Sequence, residues 1–264
     1  MDLHLKKVVK TIWREIQQLQ HLIWLYRLLK AVGPYTLVDP SRLIVLYGLA
    51  REAVRRNGGD IVECGTYNGG SAAVLGAAIR DYPNCRLLLH DTFEGLPSPG
   101  ARDGALAQEF KGNFKGSIEA VTEVLRKVGF PIERAVIRKG LFKDTFKEPY
   151  TERVAVLHID ADWYDSTLYA LETFYPLIPQ GGIVILDDFG HWEGTREAVY
   201  DYCHTQGIKP LIERVGPWQA FWRKGQEHNR SICYKYTRGI YWPQLLETRR
   251  LLSLMRWIVW PVRD

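Results

Sequence analysis

The sequence predicts a doubly wound α/β domain built on a seven-stranded, mostly parallel sheet. Short apolar, β-branched runs alternate with helical segments through the middle of the chain, as layered α/β domains require. A glycine-rich turn (Gly65, Gly69, Gly70) follows the first of these runs and leads into a helix. The last two runs are joined only by Gly216-Pro217-Trp218, too short for a parallel crossover, so the final strand is expected to be antiparallel.

Taken in order, Leu5, Val8, Val9, Ile12, Ile16, Leu19 and Ile23 recur at helical spacing beside Lys6, Lys7, Lys10 and Arg14, which predicts an amphipathic helix over 3–29. Strands are expected at Asp60 to Cys64, Arg86 to His90, Ala135 to Arg138, Val154 to Ile159, Gly182 to Leu186, Lys209 to Val215 and Gln219 to Arg223. Helices are expected around 41–56, 70–81, 116–128, 165–178 and 193–206. Asp165 reads as the cap of the helix that contains Leu168, Leu171, Phe174, Tyr175 and Leu177. The stretch 92–115, with Pro97, Pro99, Gly100, Gly104 and Gly112, reads as a long mobile loop of the lid kind. Three units follow: an amphipathic extension over 1–33, the α/β body over 34–225, and a C-terminal extension over 226–264.

Composition limits the function classes. With 264 residues, 46% of them hydrophobic, the chain can bury a sizeable core. Cys64, Cys85, Cys203 and Cys233 are scattered with no C-x-x-C pair, which points to a reducing compartment and away from a zinc site. No run reaches the roughly 18 apolar residues of a membrane span, and the N-terminus lacks a cleavable hydrophobic leader; a cytoplasmic location is expected. The net charge of +5 is unevenly spread. Residues 1–30 hold six Lys/Arg against two Asp/Glu, and residues 223–264 hold nine against three, so the body is acidic. A nucleic-acid substrate is disfavoured, because the candidate site lies in that acidic part. In the tail, Tyr241, Trp242, Trp257 and Trp260 accompany Arg249, Arg250, Arg256 and Arg263. The N-terminal face suits packing on the body, on a second subunit of a homo-oligomer or at a membrane surface, and the tail suits peripheral membrane contact or the covering of a dimer partner.

The chemistry concentrates at two strand ends. His158-Ile159-Asp160-Ala161-Asp162 and Leu186-Asp187-Asp188-Phe189-Gly190 place four carboxylates where an open parallel sheet binds its ligands. Oxygen donors of this kind suit a hard cation such as Mg²⁺, which keeps coordination positions free for substrate hydroxyls. Asp160 and Asp187 directly end apolar strands, where an isolated carboxylate would be costly unless paired or metal-bound.

The first strand and its turn, Glu63-Cys64-Gly65-Thr66-Tyr67-Asn68-Gly69-Gly70-Ser71, would let a cofactor approach the backbone and the helix N-terminus. Tyr67 stands where a dinucleotide fingerprint has its second glycine, so a pyrophosphate is not the expected ligand. S-adenosylmethionine fits better, with Glu63 for its ammonium group and Asp91, at the end of the next strand, for both ribose hydroxyls.

Together these segments resemble the macrocin O-methyltransferase (TylF) family over about residues 34–225. The resemblance is carried by Pro34-Tyr35-Thr36-Leu37-Val38, the Val62 to Gly65 loop, Asp91-Thr92-Phe93-Glu94-Gly95-Leu96-Pro97, Gly140-Leu141-Phe142-Lys143-Asp144-Thr145, the Asp160 to Thr167 run and Asp187-Asp188-Phe189-Gly190. Thr92 and Phe189 are mild departures from the family's usual Ser and Tyr. The resemblance implies a Rossmann-like class I methyltransferase, dependent on S-adenosylmethionine and Mg²⁺, acting on a hydroxyl of a small-molecule or glycosylated acceptor; helical N- and C-terminal extensions are expected outside the resembling part. It implies Asp160, Asp187 and Asp188 as metal ligands. Asp162 falls at the family's proposed general base, with the division of labour between Asp160 and Asp162 open. The cofactor set it implies is Glu63, Gly65, Thr66, Tyr67, Gly69, Ser71, Asp91, Thr92, Phe93, Gly140, Phe142 and Asp160.

A sugar hydroxyl is a poor nucleophile at neutral pH, so methyl transfer needs a base for its proton or a cation for its alkoxide. His191 is an alternative base in a loop, whereas His158 reads as a packed, hydrogen-bonded core group. Trp192, Trp218 and Trp222 could stack on a sugar, although packing is the commoner use of tryptophan. Two other classes remain open: a glycosyltransferase with Asp160-Ala161-Asp162 as its D-x-D, and a non-catalytic binding protein on the same fold.

Overall fold

The computed structural model describes residues 3–146 and 151–226. Its elements, in chain order, are α1 (Leu3–Val32), α2 (Pro40–Asn57), β1 (Asp60–Cys64), α3 (Gly70–Ile79), β2 (Leu87–Asp91), α4 (Ile118–Lys127), β3 (Ala135–Lys139), α5 (Phe142–Thr145), β4 (Val154–Ile159), α6 (Tyr164–Phe174), β5 (Ile183–Leu186), α7 (Glu193–Thr205), β6 (Glu213–Val215) and β7 (Gln219–Arg223). The strands form one seven-stranded sheet in the order β3-β2-β1-β4-β5-β7-β6, in which β7 alone runs antiparallel to its neighbours β5 and β6. Strand order reverses direction between β1 and β4, and ligands of doubly wound sheets sit at that switch point.

Strands β1, β4 and β5 are buried on both faces, and so they read as continuous apolar runs without alternation. One face packs on α2, α3 and the C-terminal half of α1, the other on α6 and α7. Among the described residues no helix is long and apolar enough to cross a membrane, and Cys64, Cys85 and Cys203 are buried. The aromatic tail lies outside the described residues.

Four expectations are corrected. The segment 165–178 ends as an α-helix at Phe174 and finishes in a 3-10 turn at Tyr175–Leu177, because Pro176 has no N–H to continue the ladder. The strand from Lys209 shortens to Glu213–Val215, Pro210 being unable to donate to a sheet edge. Asp165 is not the cap of α6. It sits in the first turn, and the Tyr164 N–H is instead taken by Asp103 Oδ1 at 2.6 Å. The stretch 92–115 is tied across its base and anchored near its middle. Leu96 exchanges backbone hydrogen bonds with Gly112 and Asn113, and Ala107 is buried with Trp163 and Trp192 in a small apolar cluster of its own.

Candidate active site

Register builds the site. Ile159 on β4 pairs with Leu186 on β5, so Asp160 and Asp187 leave the sheet side by side. The Asp187 N–H donates to Ile159 O at 2.9 Å and the Asp160 N–H donates to Cys64 O at 2.8 Å, which ties Asp187 to the end of β4 and Asp160 to the end of β1. The result is a trio, Asp160, Asp187 and Asp188, with donor oxygens all within 4.8 Å of one another. Burial first, then the Asp187 charge, pushes the Asp160 carboxyl well above the usual carboxylate range. Asp188 is pushed up in the same way by burial and by Asp162, Asp160 and Asp187. Asp188 Oδ2 is buried without a partner. Three crowded carboxylates and an orphaned oxygen are what a hard divalent cation would neutralise, so the trio fits Mg²⁺.

One protein cation already leans on this cluster. Arg42, in the first turn of α2, donates from Nη1 to Asp187 Oδ2 at 2.7 Å and from Nε to Asp39 Oδ2 at 2.6 Å. Asp39 is the cap of α2, accepting from the Ser41 and Arg42 backbone N–H groups ahead of Pro40 at the first turn. Gln219 at the start of β7 donates to the other Asp187 oxygen at 2.9 Å. Asp187 is thus held from two sides. Asp39-Pro40-Ser41 carries the residue types of a helix start, but nothing in the sequence places Arg42 on the site.

Asp162 stands apart from the trio in geometry. Its backbone is left-handed, φ +59°, a conformation that aspartate tolerates better than most residues. Trp192 donates its indole N–H to Asp162 Oδ1 at 2.7 Å, and the Thr195 hydroxyl donates to the Asp162 carbonyl at 2.6 Å. Burial pushes the Asp162 carboxyl up to about 6, with the Trp192 hydrogen bond pulling the other way and Asp187, Asp91 and Asp103 adding to the rise.

At the glycine turn, Gly65 adopts φ +90°, and a Cβ there would lie 1.7 Å from the Asp160 carbonyl oxygen. Only glycine lets the ends of β1 and β4 approach so closely. Asp91 closes the turn from β2: Oδ2 accepts from the Thr66 and Tyr67 N–H groups, each at 2.7 Å, and Oδ1 accepts from Phe93 N at 2.6 Å. A carboxylate has further lone pairs, so Asp91 keeps capacity for a ligand hydroxyl.

These parts face one cavity of about 330 Å³. Of the residues singled out from sequence, Gly65, Thr66, Tyr67, Ser71, Asp91, Thr92, Phe142, Asp160, Asp162, Asp187 and Asp188 lie on its wall. Glu63, Gly69, Phe93 and Gly140 do not. Gly69 caps α3 in left-handed conformation, Phe93 is buried, and the Gly140 N–H donates to Asp91 O at 2.9 Å, so these three shape the wall from behind. Glu63 is the main surprise. It pairs with His158 across β1 and β4, Oε1 to Nδ1 at 3.0 Å, and both are fully buried. Burial raises the Glu63 carboxyl, opposed chiefly by the hydrogen bond and charge of His158. The second Glu63 oxygen, Oε2, is buried with no hydrogen-bond partner among the described residues.

His191 lies on the wall, with its ring centroid 4.4 Å from that of Trp192 and 4.7 Å from that of Trp218. Trp192 and Trp218 line the cavity, whereas Trp222 is fully buried against Tyr175 and cannot meet a sugar.

Residues 31–224 match the family model described as macrocin-O-methyltransferase (TylF). The chain is 34% identical over 181 residues to 8-demethyl-8-(2,3-dimethoxy-alpha-L-rhamnosyl)-tetracenomycin-C 4'-O-methyltransferase of Streptomyces olivaceus, covering 66% of this chain and 69% of that protein. It is 27% identical to mycinamicin III 3''-O-methyltransferase of Micromonospora griseorubida, over 72% of this chain and 78% of that one. Among solved structures it is similar to the O-methyltransferase NovP, with a TM-score of 0.65 and 26% identity, over 72% of this chain and 82% of that chain.

Proposed function

The chain belongs to the macrocin-O-methyltransferase (TylF) family, and on that premise we propose that it transfers a methyl group from S-adenosylmethionine to a sugar hydroxyl of a glycosylated small molecule, with Mg²⁺ as its metal. The observation that carries the reading is the single cavity in which the Asp160, Asp187 and Asp188 trio, the Asp162 carboxylate and the Gly65 turn meet. The sugar acceptor is inferred from the named relatives, one of which acts on a rhamnosyl tetracenomycin. Family membership removes the glycosyltransferase reading of Asp160-Ala161-Asp162.

Each residue then has a task. Asp160, Asp187 and Asp188 would hold Mg²⁺, which when bound supplies a Lewis acid that stabilises an acceptor alkoxide and orients vicinal hydroxyls. Arg42 and Gln219 fix the Asp187 carboxylate in the orientation the trio requires. Asp162 accepts the acceptor proton at its carboxylate, held in place by Trp192, and its pKa near 6 leaves it ionised at neutral pH while still basic. The backbone of Gly65, Thr66 and Tyr67, clamped by Asp91, would cradle S-adenosylmethionine, whose sulfonium supplies the electrophilic methyl. Phe142 and the aromatic side of the wall at Trp192 exclude water.

Calorimetric titration with S-adenosylhomocysteine, with and without Mg²⁺, followed by mass-detected methyl transfer to a panel of glycosylated acceptors, tests this. Binding of both ligands and a mass gain of one methyl group on a sugar are expected. Failure of S-adenosylhomocysteine to bind, or a methyl group found only on aglycone hydroxyls, would overturn the corresponding part of the reading.

A further inference from the structure

We propose that the exposed stripe of α1 pairs in parallel with the same stripe of a second copy of this chain, forming a short two-stranded coiled coil. Helix α1 begins well before residue 31, where the family match starts, so the stripe lies outside the matched region. The helix has two apolar faces. Leu25, Leu28, Leu29 and Val32 are buried in the body's core. The other face is left bare: Ile16, Leu19 and Ile23 are 43%, 60% and 45% exposed.

The spacing on the bare face identifies its partner. Leu5, Val9, Ile12, Ile16, Leu19 and Ile23 follow one another at intervals of 4, 3, 4, 3 and 4 residues, an unbroken heptad repeat. Val9, Ile16 and Ile23 take the a positions, and Leu5, Ile12 and Leu19 the d positions. Branched residues at a with mainly leucine at d favour two parallel strands. The aliphatic repeat ends at Ile23, with Tyr26 at the next d position and Lys30 at the next a position, which is where the helix has settled onto its own body. The flanking positions agree. In parallel order Val8 faces Trp13 and Glu15 faces Gln20 of the other helix, with no like charges opposed. In antiparallel order g meets g, and Glu15 would face its own copy. In this register Lys7 and Arg14 take f positions and Lys10 a b position, with Lys6 alone at e beside the seam.

The test is sedimentation equilibrium of the full chain beside an Ile16→Lys/Ile23→Lys variant. Both side chains are exposed, so the variant should keep the thermal midpoint of the body, which serves as the folding control. The full chain should sediment at twice 30.5 kDa and the variant at 30.5 kDa, with dimer affinity reduced at least about a hundredfold. Orientation is read by disulfide formation in a Cys233→Ser background. Leu5→Cys should cross-link to itself, as parallel order requires, and the f-position substitution His21→Cys should not. A monomeric full chain, or a dimer that survives both lysines, would overturn the proposal. So would binding to phosphatidylserine-rich vesicles that the same two lysines abolish, which would assign the stripe to a lipid surface. Cross-linking of Leu5→Cys only with Ile23→Cys would overturn the parallel order.

Discussion

Trp192 holds Asp162 by a hydrogen bond of 2.7 Å from its indole nitrogen to Oδ1. That bond favours the ionised carboxylate, against the burial that raises its proton affinity. Activity that depends on ionised Asp162 should fall as pH drops through about 6. Trp192→Phe removes the donor, so the acidic limb of the kcat/KM profile should move to higher pH. An unmoved limb would detach Trp192 from the protonation of Asp162.

Asp162→Asn keeps an acceptor for Trp192 and a residue suited to left-handed backbone. It should bind S-adenosylhomocysteine as the parent does and lose turnover by about 10²- to 10⁴-fold, the range for a general base. Stopped-flow binding beside steady-state kinetics separates the two, and near-parental turnover would take the base role from Asp162.

Arg42→Met leaves the Asp187 carboxylate buried without its cation. Breaking a buried pair in this way costs about 3–5 kcal/mol. The metal-free variant should melt well below the parent, and saturating Mg²⁺ should recover much of the gap, because the metal supplies the missing positive charge. A gap of the same size with and without Mg²⁺ in differential scanning fluorimetry would mean that Arg42 does not serve the cluster.

The acidic cluster also sets a pH dependence of stability. Asp160 and Asp188 have raised folded-state pKa values, so their contribution is present below the ordinary carboxylate range and lost as pH rises through the raised values. Mg²⁺ needs the ionised carboxylates and offsets that loss. The rise in melting temperature on adding Mg²⁺ should therefore be small near about pH 5 and larger near about pH 8. A shift that shrinks with rising pH would contradict a carboxylate-bound metal.

Much of this architecture was legible because its signals are local. The spans of β1, β4 and β7 match the sequence reading to the residue, since each is a short apolar run bounded by turns or charge. The contribution of the strand ends to one cavity was legible too, because the parallel topology brings them together. What escaped was set by distant partners. Arg42 and Asp187 are 145 positions apart, and Asp103 reaches the α6 amide from 61 positions away. The pairing of Glu63 with His158 depends likewise on the register between β1 and β4, which local pattern does not encode.

The left-handed backbone at Asp162 also bears on how such a chain could change over generations. Either aspartate codon becomes an asparagine codon by a single G-to-A transition, and asparagine satisfies both the backbone and the Trp192 indole. Selection on folding alone would not detect the replacement. On the proposed role of Asp162 as the base, a lineage relieved of the need for catalysis could thus fall silent at position 162 while every strand and helix stayed in place.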